Sequence, residues 1–281
     1  MLSYRKLAMR VLGRPLHTGG NDSPRPASQR AAAFILTAIM LTSLTAPAFA
    51  GTWSIENGNI TVKAGETGND VTQNNVTTKN DTNTIITNQN KDIASSNTVT
   101  IETNDKNDKV KVTLDNVNIN VGSDSGSALT SNGDVTLTLK GDNSLTGGNG
   151  GSGISSNGSL TISGGEKDSL TAQGGSGRSG IFSSGGVTIS GGTVNATGGN
   201  SGSDIGDGIH SGSLTMKGGT VNAKGGSGAD GGSGIRTFSS GGVTISGGST
   251  VKATGGDASD KDASAGGSGI LIFGSGSLTV S

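Results

Sequence analysis

The sequence predicts an all-β protein: a right-handed parallel β-helix solenoid, with three short strands in each coil of about 26 residues. The first observation behind this is a repeat. "SSGGVTISGGTVNATGGN" at residues 183–200 returns at 239–257 as "SSGGVTISGGSTVKATGGD". The second is an alternation of period two inside each copy. In "VTIS", Val187 and Ile189 point one way and Thr188 and Ser190 the other, which is the pattern of a half-buried strand. The third is the pairs of glycine between these strands, which permit the positive φ that tight corners need. No stretch after residue 50 carries a helical apolar stripe, and the handedness follows from the strong preference of parallel crossovers.

Three series of apolar positions recur in fixed order. The first is Leu129, Ile154, Ile181, Ile209, Ile235 and Ile270, spaced by 25, 27, 28, 26 and 35 residues. The second is an apolar-Thr-apolar triplet at Val135/Leu137, Leu160/Ile162, Val187/Ile189, Leu214/Met216, Val243/Ile245 and Leu278/Val280. The third holds Leu145, Leu170 with Ala172, Val194 with Ala196, Val221 with Ala223, and Val251 with Ala253. A coil of this kind buries about five aliphatic side chains, worth on the order of 10 kcal/mol. Ordering its backbone costs at least about 1 kcal/mol per residue, so one coil cannot stand alone. Stacking coils at about 4.8 Å pairs every strand with its neighbours above and below.

Residues 1–50 are a different kind of segment. Six basic residues (Arg5, Lys6, Arg10, Arg14, Arg25, Arg30) and one acid (Asp22) precede an apolar run over residues 31–44. The motif "APAFA" follows, in which Ala48 and Ala50 give the small-x-small pattern cleaved by signal peptidase before Gly51. This is the layout of a secretory signal peptide. The competing reading, an uncleaved anchor, needs about 20 apolar residues, which residues 31–50 barely supply and Pro47 interrupts. The expected location is secreted or at a bacterial cell surface. The remaining 231 residues carry 14 basic and 20 acidic side chains and no cysteine. A mildly acidic chain without a basic patch does not suit nucleic acid, and no disulfide framework is available.

Residues 51–124 read as an N-terminal cap and degenerate first coils, with Trp53 plugging the end of the core. "GNITVKAG", "NTVTIET" and "KVKVTLDNVNINV" alternate as strands do, whereas "NDVTQNNVTTKNDTNT" at 69–84 is polar and reads as loop or frayed edge. Residues 125–281 are regular glycine-rich coils. They stop inside "GSLTVS", where every earlier repeat continues into a third strand. The sequence is therefore expected to be truncated there, leaving an edge open to pairing.

The segments "VKVTLDNVNIN", "GDVTLTLKGDNSLTGG" and "SSGGVTISGGTVNATGG" resemble the pectate-lyase-like β-helix domains that secreted bacterial proteins use as carbohydrate-binding modules. The resemblance covers roughly residues 95–281. It implies non-catalytic attachment to acidic or cellulosic plant polysaccharide, with calcium often part of such domains. It carries over no individual ligand residue.

Candidate ligand positions come from the outward side chains. Phe182, Phe238 and Phe273 each stand five residues before the next strand's first apolar residue (Val187, Val243, Leu278), which assigns them to equivalent corners. They form either a stacking ladder for sugar rings or a seal on the core. Thr188, Thr215 and Thr244 continue an outward row with Thr136, Thr161 and Thr279, while Thr193 with Asn195 and Thr220 with Asn222 form a second. Such rows can bind a polymer or simply solvate the face. Flat threonine arrays also suit an ice lattice, but here the adjoining column is mostly serine and Lys217 interrupts it.

Calcium would need clustered oxygens. The candidates are Asp204, Asp207 and Asp230, with Asp257, Asp260 and Asp262 in a later loop; the alternative is solvated loop acids. "GGSGADGG" nearly matches the nonapeptide calcium repeat, with glycine where the aliphatic belongs. The GxGxxG at Gly175, Gly177 and Gly180 binds nucleotide only ahead of a helix, and none is predicted. Catalysis is not expected. His210 is the one histidine after the leader, no nucleophile elbow surrounds a serine, and Arg178 and Arg236 are isolated on non-neighbouring coils. Two readings remain: a polysaccharide-binding module, and a cell-surface adhesin or stalk, autotransporter-passenger-like or wall-anchored, whose repeats supply structure.

Overall fold

The structure, a computed structural model, describes residues 50–103, 110–238, 241–258 and 266–281. Residues 1–49 of the expected signal peptide and two of the candidate acids, Asp260 and Asp262, lie outside the described residues. The chain from Gly51 onward winds into a parallel β-solenoid of about six turns spaced about 27 residues apart. Each of the three apolar series of the sequence builds one wall.

The first wall runs through Ile60–Ala64, Val99–Glu102, Leu129–Asn132, Ile154–Ser156, the opening residues of Ile181–Ile189 and Ile209–Met216, Ile235–Thr237 and Ile270–Ile272. The second wall starts with Thr52–Ser54 and Ile85–Thr87, continues through Val110–Asp115, Val135–Lys140 and Leu160–Ser163, and takes the closing residues of the two long strands. It ends with Val243–Ile245 and Leu278–Val280. The third wall is Asn118–Asn120, Asp142–Thr146, Ser169–Gln173, Thr193–Thr197, Thr220–Lys224 and Thr250–Thr254. Ile154, Ile181 and Ile209 stack in register from the first wall, and Leu160, Val187 and Leu214 from the second; all are buried.

Two polar features inside this core were not legible as apolar periodicity. Ser131, Ser156, Ser183, Ser211 and Thr237 form one inward column in the first wall, and none has solvent exposure. Several of these hydroxyls donate to backbone carbonyls at the corner between the first and second walls, where hydrogen-bonding groups shut away from water need partners. Ser131 Oγ donates to the Gly133 carbonyl at 2.8 Å, Ser183 Oγ to that of Gly158 at 2.8 Å, and Thr237 Oγ1 to that of Gly241 at 3.0 Å. Asn143 occupies the inward third-wall position that Leu170, Val194 and Val221 fill in later coils. Its Oδ1 accepts from the Val117 N–H at 2.9 Å and its Nδ2 donates to the Ser169 carbonyl at 3.2 Å.

The polar stretch 69–84 is not a loop. Asn69–Gln73 pairs antiparallel with Ile60–Ala64 on one side and with Val76–Asp81 on the other. Asn74 and Asn75, at φ 51° and 62°, make the tight link, since asparagine tolerates the left-handed region that hairpin turns require. The hairpin covers the free edge of Ile60–Ala64, which would otherwise offer unpaired backbone. It reads as polar because few of its side chains face the core. Val71 is fully buried there, and Gln73 donates from Nε2 to the carbonyls of Ser54 at 2.7 Å and Gly58 at 2.9 Å. Trp53 aligns with Ile86 and packs partly buried on the core. Its indole N–H donates to Asp81 Oδ2 at 2.9 Å, and the Gly51 N–H donates to Asp81 Oδ1 at 2.9 Å.

Candidate ligand-binding face

The outward residues singled out in the sequence fall on three different walls. Thr188, Thr215 and Thr244 are in register on the second. Thr193 with Thr220, and Asn195 with Asn222, are in register on the third, where Asn222 Nδ2 donates to Asn195 Oδ1 at 2.9 Å and the amide row partly satisfies itself. The phenylalanines belong to the first wall. No single ligand surface unites these sets.

The phenylalanines are also not equivalent. Phe182 immediately follows Ile181 and aligns with His210, whereas Phe238 and Phe273 come three residues after the matching isoleucines Ile235 and Ile270. The cause is corner length. Ile181 and Val187 are joined through one continuous strand, while Ile235–Thr237 and Val243–Ile245 are separate strands with a longer bend between them. Counting back from the second wall therefore slips by two residues.

The first wall is where chemistry gathers, because variable corners flank it at both ends. The link that enters it from the third wall grows from 7 residues (147–153) to 11 (198–208). Its outward column reads Ser155, Phe182, His210, Arg236, Leu271 along the solenoid axis. The His210 ring meets Phe182 edge-to-face at 5.6 Å and 88°, and Phe238 at 5.3 Å and 82°. The Arg236 guanidinium lies 5.0 Å from the Phe273 ring centre, a cation–π contact. Beside this strip runs a groove of about 440 Å³, lined by Ser127, Ser155, Arg178, Phe182, Asp204 and His210 among others.

Asp207 underlies the strip. It stands two residues before Ile209, at the position that Ser127, Ser152, Ser179, Ser233 and Ser268 hold before the apolar residue of their own coils. At two positions of this column, Ser127 and Asp207, a side-chain oxygen accepts from the backbone of the following coil. Ser127 Oγ takes the Ser152 N–H at 3.0 Å, and Asp207 Oδ1 takes the Ser233 N–H at 2.7 Å. The second carboxylate oxygen has no such duty. Oδ2 is buried without a hydrogen bond, 3.4 Å from His210 Nδ1 and 3.6 Å from an Arg236 guanidinium nitrogen, both longer than a charge-assisted hydrogen bond. Burial pushes the Asp207 carboxyl above its ordinary range, opposed by the Ser233 N–H, His210 and Arg236. Burial likewise pushes the His210 imidazole down; Asp207 opposes this and Arg236 adds to it.

These contacts correct two sequence expectations. Arg236 is not isolated, since His210 and Asp207 adjoin it. Asp207 is not a solvated loop acid or part of a calcium cluster with Asp204 and Asp230: it is buried against His210 and Arg236, while Asp204 is exposed in the groove. Among the described residues, no three His, Asp or Glu side chains gather into one cluster. The GxGxxG glycines lead into the strand Ile181–Ile189 rather than a helix. The sequence held one signal for the cluster that periodicity alone passes over: the recurring "SGI" reads "DGI" once, at 207–209. Scanned against protein-family models, curated proteins and solved structures, the chain finds no match.

Proposed function

We propose that this chain is an exported, non-catalytic polysaccharide-binding module whose ligand lies along the outer face of the first wall. One observation carries the reading: Phe182, His210, Phe238, Arg236 and Phe273 form a continuous strip across neighbouring coils, beside a groove lined with hydroxyls. Apolar ring faces flanked by a few fixed polar groups suit the alternating apolar and hydroxylated faces of sugar rings. Asp207 is sealed beneath its partners, so the reading gives it an electrostatic role and no proton transfer to a substrate. Glycoside hydrolysis would call for two carboxylates about 5–9 Å apart and open to the ligand.

The test is a pull-down on insoluble cellulose and on pectin, with and without calcium. Retention should fall at least about tenfold for Phe182→Ala, and stay unchanged for Thr188→Ala on the second wall. A wild-type chain retained by no glycan defeats the proposal. That result would favour the second reading, a surface stalk or adhesin, which rests on the unbroken register of the second and third walls, where threonine follows threonine coil after coil.

A further inference from the structure

We infer that Asp207, His210 and Arg236 form a proton-gated oxyanion site, which takes up one proton on acidification and then holds a carboxylate or sulfate group against the first-wall strip. The inference rests on the first wall being the ligand face, but its chemistry comes from the cluster alone. With a neutral imidazole, the Asp207 carboxylate offsets the Arg236 guanidinium and the cluster is balanced. One added proton leaves it at net +1. This holds wherever the proton resides: on His210 it creates a second cation, and on Asp207 Oδ2 it frees the charge of Arg236. For a coupled pair the net charge of the step is defined even where the site of protonation is not.

The geometry makes Asp207 the unusual member. A serine at this position would satisfy the Ser233 N–H, as Ser127 satisfies Ser152, so the fold does not require a carboxylate. The surplus oxygen is buried, lacks a hydrogen bond and faces the His210 imidazole and the Arg236 guanidinium. His210 and Arg236 each keep about a quarter of the side chain exposed, 26% and 27%, so an anion can reach them from outside. The charged groups facing His210 are Asp207 from its own corner, Arg236 from the next strand, and Arg178 and Asp204 at the groove. The preceding strand presents only the uncharged Phe182. Arg178 and Asp204 are both exposed to solvent and carry opposite formal charges, leaving the balance with the buried carboxyl. Burial raises Asp207 and lowers His210, which brings the two groups toward each other, so the proton is shared by the pair.

The experiment is an NMR titration of the full chain with sodium sulfate at constant ionic strength, read at the His210 ring nitrogens and the Arg236 Nε. His17 is the only other histidine, and His210→Phe assigns the signals. Sulfate should bind at least about tenfold tighter at pH 4.5 than at pH 8, the effect of one added charge within a few ångströms. Asp207→Ser, which restores the residue of the other coils, should bind at pH 8 about as tightly as wild type does at pH 4.5. Arg236→Gln, a substitution at a partly exposed side chain, should bind weakly at both. Equal wild-type affinity at the two pH values overturns the inference, as does Asp207→Ser no tighter than wild type at pH 8. Dextran and dextran sulfate then identify the source. Acid-dependent retention of dextran sulfate assigns the oxyanion to a polymer, and acid-dependent binding of inorganic sulfate alone assigns it to a free anion; both uphold the site. Failure of every glycan pull-down would remove the polysaccharide reading while the sulfate titration still decides this one.

Discussion

Substituting Gly199 by alanine should break the solenoid where its coils pack closest. Gly148, Gly175, Gly199, Gly226 and Gly256 stack at the corner between the third and first walls, and a methyl group added to any of the last four would point at the carbonyl oxygen of the glycine one coil earlier. At Gly199 it would lie far inside the roughly 3.3 Å closest approach of carbon to a carbonyl oxygen. The obstacle is backbone, so no rotamer change relieves it and the two coils must separate. That separation stretches the bonds joining them at this corner, Gly174 N–H to the Thr197 carbonyl at 2.9 Å and Gly199 N–H to the Arg178 carbonyl at 2.8 Å. A buried backbone group left unpaired costs about 1–3 kcal/mol, so two cost about 4 kcal/mol, a large part of the roughly 5–15 kcal/mol of a folded domain. With a urea dependence of about 2 kcal/mol per molar, the midpoint should fall by about 2 M. The assay is urea unfolding followed by far-ultraviolet circular dichroism for the whole sheet and by fluorescence of Trp53, the single tryptophan, for the N-terminal cap. Gly202→Ala is the control, because a methyl there meets nothing within 4 Å and should leave stability unchanged or raise it by about 0.5 kcal/mol. If Gly199→Ala unfolds within 0.3 M (roughly 0.6 kcal/mol) of that control, the close-stacking argument is wrong.

Three further outcomes follow from the described contacts. Asn75→Gly should hold or raise stability by a few tenths of a kcal/mol and Asn75→Val lower it by about 1–2 kcal/mol, because φ is 62°; hydrogen exchange of the Asn69–Gln73 amides reads the difference. Asp81→Ala removes the acceptor for Gly51, Trp53 and Asn83, and should shift Trp53 emission to the red and cost about 2–4 kcal/mol in the cap transition. His210, whose folded value is depressed, contributes stability present above about pH 6.5 and lost as pH falls through the folded value. The raised Asp207 carboxyl works the other way, its contribution being present below its unfolded value and lost as pH rises through the folded one. Urea midpoints of wild type should thus dip just below pH 6.5, and those of His210→Phe should not.

The walls were legible because burial acts on alternate residues, and Ile154, Ile181 and Ile209 must be apolar whatever the corners do. The hairpin was not, because a strand whose core-facing residues are few and include Gln73 leaves almost no apolar trace. The inward serines were not either. Periodicity rules give an inward position to an aliphatic, but beside a bend the core must supply a donor to a carbonyl, and serine is small enough to do so without a cavity.

The site was hidden by a different cause. Inward residues keep their register through packing, but the alignment of outward residues between coils depends on the corner before them. Counted back from Val187 and Val243, Phe182 and Phe238 look equivalent; counted forward from Ile181 and Ile235, they differ by two residues, and His210 takes the place beside Phe182. In a stacked repeat the informative residues are those that depart from the repeat, weighed by what the departure costs. An outward exchange such as Ser155 to Phe182 to His210 to Arg236 costs little and drifts freely. Serine to Asp207 places a carboxylate in a buried column, which burial penalises heavily unless opposite charge stands close. That charge comes from Arg236, the outward residue of the next coil, with His210 of its own coil beside it, so the costly departure and the cheap ones are a single feature of the chain.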